Sequence, residues 1–152
     1  MTTLEAPPTA PREQRNALAG AVEALEREAD ATQDHAKAAE IYLRLGRLHE
    51  ERLLRRDRAA LYYLRALRLD PALAAARQAS LRCLVALRRF GQAKHTLDGA
   101  RVRGDEPRAL AAEYARLGGL LADEPLEHGL AMEVLVEALA LDRAAPGAAA
   151  AL

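Results

Sequence analysis

One stretch of this chain occurs twice, and that repetition restricts the fold more than any other feature. Residues 39–71, AEIYLRLGRLHEERLLRRDRAALYYLRALRLDP, align without a gap to residues 111–143, AAEYARLGGLLADEPLEHGLAMEVLVEALALDR, at an offset of 72. Tyr42, Arg44, Leu45, Gly46 and Leu48 recur as Tyr114, Arg116, Leu117, Gly118 and Leu120. Ala59, Ala66, Leu67, Leu69 and Asp70 recur as Ala131, Ala138, Leu139, Leu141 and Asp142. A third copy lies between them. Ala93 and Ala100 follow Ala59 and Ala66 by 34 residues, Leu97 follows Tyr63 by the same interval, and Phe90 stands where the second helix of a pair begins. Repetition at this length marks one supersecondary element that buries its apolar face by stacking on its neighbours.

The repeated element is expected to be helical. The 152 residues are 51% hydrophobic but only 3% aromatic, so the apolar share is mostly Ala and Leu, set among Arg and Glu. These are the stronger helix formers, and β-branched residues are too scarce to suggest a sheet. The pattern predicts about seven helices, over 12–30, 34–54, 57–69, 72–88, 90–102, 107–122 and 125–141. Pro71 ends the third helix, Arg103-Gly104-Asp105-Glu106-Pro107 makes a turn, and Pro125 suits a first helical turn. One repeat domain is expected over 12–143, between a loose N-terminal tail over 1–11 and a loose C-terminal tail over 144–152.

Tyr42-x-x-Leu45-Gly46, followed by Ala59, Tyr63, Ala66 and Pro71, resembles the tetratricopeptide repeat family, whose period is about 34 residues. The resemblance covers roughly residues 36–143. It implies an all-α, right-handed α-solenoid of antiparallel helix pairs. It also implies small residues where the helices of a pair touch (Gly46, Ala59, Ala66, Gly118, Ala131, Ala138). Large residues interlock neighbouring pairs (Tyr42, Leu45, Tyr63, Leu84, Phe90, Leu97, Tyr114, Leu117, Leu135). Three features depart from the family pattern. The Gly46–Ala59 and Gly118–Ala131 spacings are one residue long, Arg143 replaces the closing Pro, and Ser80-Leu81 replaces Leu-Gly in the middle copy.

By the same resemblance, the first helix of each pair lines a concave groove that binds a peptide or helical segment. The groove positions implied are Glu40, Leu43, Arg44, Arg47 and Glu50, then Gln78, Arg82 and Val85, then Ala115, Arg116 and Asp123. Arg44, Arg47, Gln78, Arg82 and Arg116 are the candidate binding residues. Guanidinium groups pair bidentately with carboxylates, which favours an acidic partner. The other reading is a solvated surface in which Arg44 pairs with Glu40 one turn away. The family's clamp for acidic chaperone tails uses Asn and Lys, whereas this chain has only Asn16, Lys37 and Lys94; that specificity is not expected.

Net charge is zero, but it is unevenly spread. Residues 41–91 carry 12 Arg against 4 acids, while 1–40 carry 4 basic and 8 acidic groups and 92–152 carry 6 and 10. The preference for Arg over Lys fits either a base-composition bias or a functional patch. The patch reading, centred on Arg52–Arg58, makes a nucleic acid or other polyanion the alternative partner. No aromatic residues interleave there for base stacking, which weighs against it. No signal peptide or apolar run of membrane-spanning length is apparent, so a cytoplasmic protein without membrane association is expected.

No catalytic motif, cofactor loop or metal site is recognised, and the chain is read as a non-enzymatic interaction scaffold. His35, His49, His95 and His128 are too far apart for a helical metal site. They are expected at the surface or satisfied. Ser80 has no nearby His, and Cys83 in LRCLVAL is expected to be a buried, inert thiol. Asp123, Glu124 and Glu127 suit a helix N-terminus better than a metal. Only AAPGAAAAL follows the last predicted helix, so Val134, Leu135 and Leu139 are expected to be open, with self-association through that end.

Overall fold

The computed structural model describes residues 10–151, which contain eight helices and no strand. They are α1 Ala10–Ala31, α2 His35–Glu51, α3 Arg56–Leu69, α4 Ala74–Ala86, α5 Phe90–Arg103, α6 Pro107–Ala122, α7 His128–Leu141 and α8 Ala148–Ala151. The all-helical expectation holds for these residues. The single repeat domain expected over 12–143 separates into two compact units, one ending at Asp70 and the other beginning at Pro71. Most of the expected N-terminal tail lies outside the described residues, but Ala10 and Pro11 already belong to α1. Pro is tolerated there because the first turn needs no N–H.

Local chemistry sets the helix boundaries. Asp34 caps α2 by accepting from the amides of Ala36 and Lys37 at 3.0 and 3.3 Å, which satisfies two otherwise orphaned donors. Glu106 does the same for α6, accepting from Arg108 and Ala109 at 3.0 and 2.6 Å, with Pro107 in the first turn. α2 stops at Glu51, earlier than residue 54. The Leu48 carbonyl takes the amides of both Arg52 and Leu53, and Leu54 turns the chain with φ at 53°. Arg88, with φ at 58°, ends α4 in the same way. Pro125 sits in the turn before α7 rather than inside its first turn, so α7 begins at His128.

In the first unit, α2 packs along α3 through the small residues picked out by the repeat. Ala59 and Ala66 are buried. Gly46 lies so close to the Tyr63 ring that a Cβ on it would overlap that ring. Tyr63 is itself held, donating its hydroxyl to the Glu50 carboxylate at 2.7 Å. α1 rests on this pair lightly. Among side chains 11–31 only Ala29 is buried, and Val22 and Leu25 are partly so, against Ile41, Leu45, Tyr42 and Tyr62. Two tyrosine hydroxyls of the pair donate to carboxylates of α1, Tyr62 to Glu26 and Tyr42 to Asp30. Burial and the Glu26 carboxylate push the Tyr62 hydroxyl up to about 12.

The second unit repeats the contact 72 residues later. A Cβ on Gly118 of α6 would stand 2.5 Å from Leu135 and 3.0 Å from Val134 of α7. Ala131 and Ala138 are buried alongside. The expected open end of α7 is corrected here. Val134 and Leu135 are 0% and 1% exposed and Leu139 is half-buried. The tail expected to be loose carries α8, which packs against both α6 and α7 and buries Ala145 and Ala148. Alanine side chains are small enough for that short helix to approach closely.

Replacing either glycine by Ala gains about 1 kcal/mol of helix propensity but forces a displacement in a filled core, typically worth about 1–3 kcal/mol. Gly46→Ala should be the more damaging of the two. The Tyr63 ring is rigid and tied by its hydroxyl, whereas the Leu135 tip can rotate. Denaturant unfolding of both variants should show the lower midpoint for Gly46→Ala. Equal midpoints at wild-type level would refute the packing argument.

Candidate functional site

The second unit holds a cleft of about 410 Å³ between α4 and α6. It is lined by Gln78, Leu81, Arg82 and Val85 from α4 and by Glu113, Arg116, Leu117 and Leu120 from α6. Helical spacing accounts for both rows. Positions 78, 82 and 85 share a face of α4, and 113, 116, 117 and 120 share a face of α6. Leu81 and Leu117 are buried and form the floor, while Leu120 is half exposed at the rim. Arg82 and Arg116 are both exposed, one from each helix. The volume falls within the range of sites that accept a ligand or an anchoring side chain, about 300–1,000 Å³.

The cleft's only carboxylate is already engaged. Glu113 is 8% exposed and accepts from Arg77 Nε at 3.1 Å. Arg77, 5% exposed, also donates through Nη1 to Asp105 at 2.7 Å. Asp105 in addition accepts from Arg103 at 3.1 Å. This buried cluster ties α4 to α6 and to the Gly104-Asp105 turn, where Gly104 takes a φ of 82°. Charge inside the cluster is therefore compensated by its own members. The exposed guanidinium of Arg116 is not part of it and gives the mouth a basic character.

Further pairs follow the same interval. Arg88 donates to both Glu124 oxygens at 2.8 and 2.6 Å, and Arg101 lies 3.5 Å from Glu137. Like Arg77 and Glu113, these partners are 36 residues apart. Part of the contrast between a basic middle and an acidic end is thus internal pairing. It accounts for Arg77 and Arg88 but leaves Arg82 at the cleft.

The five candidate binding residues divide between the units. Gln78, Arg82 and Arg116 come together in the cleft. Arg44 and Arg47 are exposed on α2 of the first unit, and among the described residues Arg44 makes no ion pair with Glu40. Of the other groove positions, Val85 lines the cleft, and Glu40 and Asp123 are exposed. Leu43 and Ala115 are corrected: they are 3% and 5% exposed and face the packed interior. They occupy equivalent places in the two repeats, so one error of register misplaces both. Glu50 is taken up by Tyr63. Leu81, Glu113, Leu117 and Leu120 belong to the cleft but were not among the candidates. Arg77 also went unrecognised, because an Arg in an Ala-rich helix reads as surface until its partner on another helix is known.

The remaining polar candidates find local roles. Ser80 is buried and donates to the Arg77 carbonyl at 2.8 Å. Cys83 is buried. His35, His95 and His128 are exposed, but both ring nitrogens of His49 are buried without a hydrogen-bond partner, contrary to expectation. Glu127 precedes α7 without a side-chain capping bond, and Glu124 pairs with Arg88 instead of capping. No group of three or more His, Cys, Asp or Glu among the described residues is arranged to hold a metal ion. No helix among them is long and apolar enough to cross a membrane.

No protein-family model matches the chain, and no curated protein matches it.

Removing one partner of the buried cluster leaves an uncompensated charge, which costs about 3–5 kcal/mol. Arg77→Met should therefore destabilise the second unit strongly, and Arg77→Met combined with Glu113→Leu should recover much of the loss. Thermal unfolding of the single and double variants decides this. If the double variant is as unstable as the single, the cluster is not the cause.

Proposed function

We propose that the chain is a protein-interaction scaffold of tetratricopeptide-type helix pairs that holds a segment of another protein. The cleft between α4 and α6 is the binding face. The observation that carries this reading is that cleft: an apolar floor from Leu81 and Leu117 with an arginine from each helix at its mouth. Such a surface suits a segment that presents an apolar side chain beside a carboxylate. The repeated glycine contacts at Gly46 and Gly118 support the repeat assignment. The right-handed α-solenoid implied by the resemblance belongs to this proposal for the pairs within each unit. Arg44 and Arg47 offer an exposed basic face on the first unit for the same kind of partner.

Self-association through an open C-terminal end is not part of the reading, because α8 covers Val134 and Leu135. A cytoplasmic, non-enzymatic role follows from the scaffold reading.

The test has two stages. Affinity purification with mass spectrometry should recover a partner with the wild type and lose it with Arg82→Glu plus Arg116→Glu. A synthetic segment of that partner should then bind the wild type at least about tenfold more tightly than the variant, a difference of about 1.4 kcal/mol. Equal recovery and equal affinity would reject the cleft. Binding whose logarithm falls linearly with the logarithm of salt, on heparin or a nucleic acid, would favour the polyanion alternative.

A further inference from the structure

His49 stands apart from the packing around it. Its ring lies against that of Tyr62, with centroids 5.1 Å apart and planes 25° from parallel. Both nitrogens are buried without partners. A neutral imidazole tolerates such a place at the cost of its missing hydrogen bonds, but an imidazolium needs acceptors for two N–H groups. The charged groups that face it come from every neighbouring element: Glu26 of α1, Asp57 and Arg58 of α3, and Arg55 of the α2–α3 connection. Arg55 is already paired with Asp57 at 3.0 Å, and Glu26 already accepts from Tyr62. Arg65 lies over the Tyr42 and Tyr62 rings at 5.9 and 5.7 Å and adds another positive charge nearby.

Tyr62 is thus shared. One side of it carries His49, and its hydroxyl holds α1 through Glu26. The rest of the attachment of α1 is thin: buried Ala29, partly buried Val22 and Leu25, and the bond from Tyr42 to Asp30 at 3.3 Å.

We propose that α1 is a pH-gated cover over the α2–α3 pair, in which a proton on His49 loosens α1 and uncovers the apolar face of Ile41, Leu45 and Tyr62. The imidazolium either draws Glu26 away from Tyr62 or is driven out of its place by Arg58 and Arg55. Each route breaks the bond that holds α1. Burial first, and then Arg58, holds His49 below its ordinary value, against the opposing pull of Glu26. The sign follows by linkage. The docked form binds a proton less readily than the released form. Docking is therefore strongest above the ordinary histidine value of about 6.5 and weakens as pH falls through it.

Hydrogen exchange with mass spectrometry on the full chain tests this at about pH 7.5 and pH 5.5, on either side of the histidine range and above that of carboxylates. Rates are referred to intrinsic exchange at each pH. In the wild type, protection of residues 22–31 should fall several-fold at the lower pH while that of α6 and α7 holds. His49→Phe, which keeps the stacked ring without the proton, should retain protection at both values. Unchanged or increased protection in the wild type overturns the proposal, and so does an equal loss in His49→Phe. If that variant does not fold, NMR titration of the wild-type imidazole decides instead: titration below the ordinary value, with α1 resonances shifting in step, supports the proposal. Titration at or above the ordinary value overturns it.

Discussion

The architecture depends on two places where a helix lacks a side chain so that a neighbour can come close. Gly46 meets the Tyr63 ring, and Gly118, 72 residues later, meets Leu135. Protein interiors are packed too densely for such a contact to stretch. The absent Cβ therefore fixes how near α2 lies to α3 and α6 to α7. The consequences continue outward. With one face of α6 committed to α7, the face carrying Arg116 and Leu120 is left to line the cleft with α4. The same sequence element thus sets the core contact and, on its opposite side, the candidate binding surface.

Much of this was legible in the sequence because small residues at a fixed interval have few explanations other than close helix contact. Gly46, Ala59 and Ala66, and their counterparts Gly118, Ala131 and Ala138, are all buried. Pro71 and Gly104 marked chain reversals correctly. Legibility failed where the outcome depended on a distant partner. Leu43 and Ala115 lie at the edge of the apolar stripe, where helical periodicity alone does not say which way a residue turns. Arg77 is indistinguishable from a surface Arg until Glu113 and Asp105 are brought to it. The run after Gly147 has no periodic pattern, since alanine fits either a helix or a loose end. Only the presence of α6 and α7 beside it gives that segment something to pack on.

The charge pattern has a similar two-level explanation. A neutral chain with a basic middle and acidic ends could signal a polyanion partner. Several of its charges are instead spent at intervals of 36 residues, in Arg77–Glu113, Arg88–Glu124 and Arg101–Glu137. Exposed pairs of this kind contribute little stability each, about 0–1 kcal/mol, but they fix which helix faces which. The buried Arg77 cluster is different, because each member there depends on the others for compensation. What distinguishes the cleft is the combination of an internally balanced cluster below it and arginine side chains at its mouth.

The tyrosines carry a practical consequence. The chain has four of them and no tryptophan, and each donates its hydroxyl to a carboxylate on a different helix: Tyr42 to Asp30, Tyr62 to Glu26, Tyr63 to Glu50 and Tyr114 to Asp98. Near-ultraviolet absorbance therefore comes almost wholly from groups seated at helix junctions. Three of these chromophores report on the first unit and one on the second. The protein thus carries its own optical gauge of helix packing, unevenly weighted toward the half that contains α1.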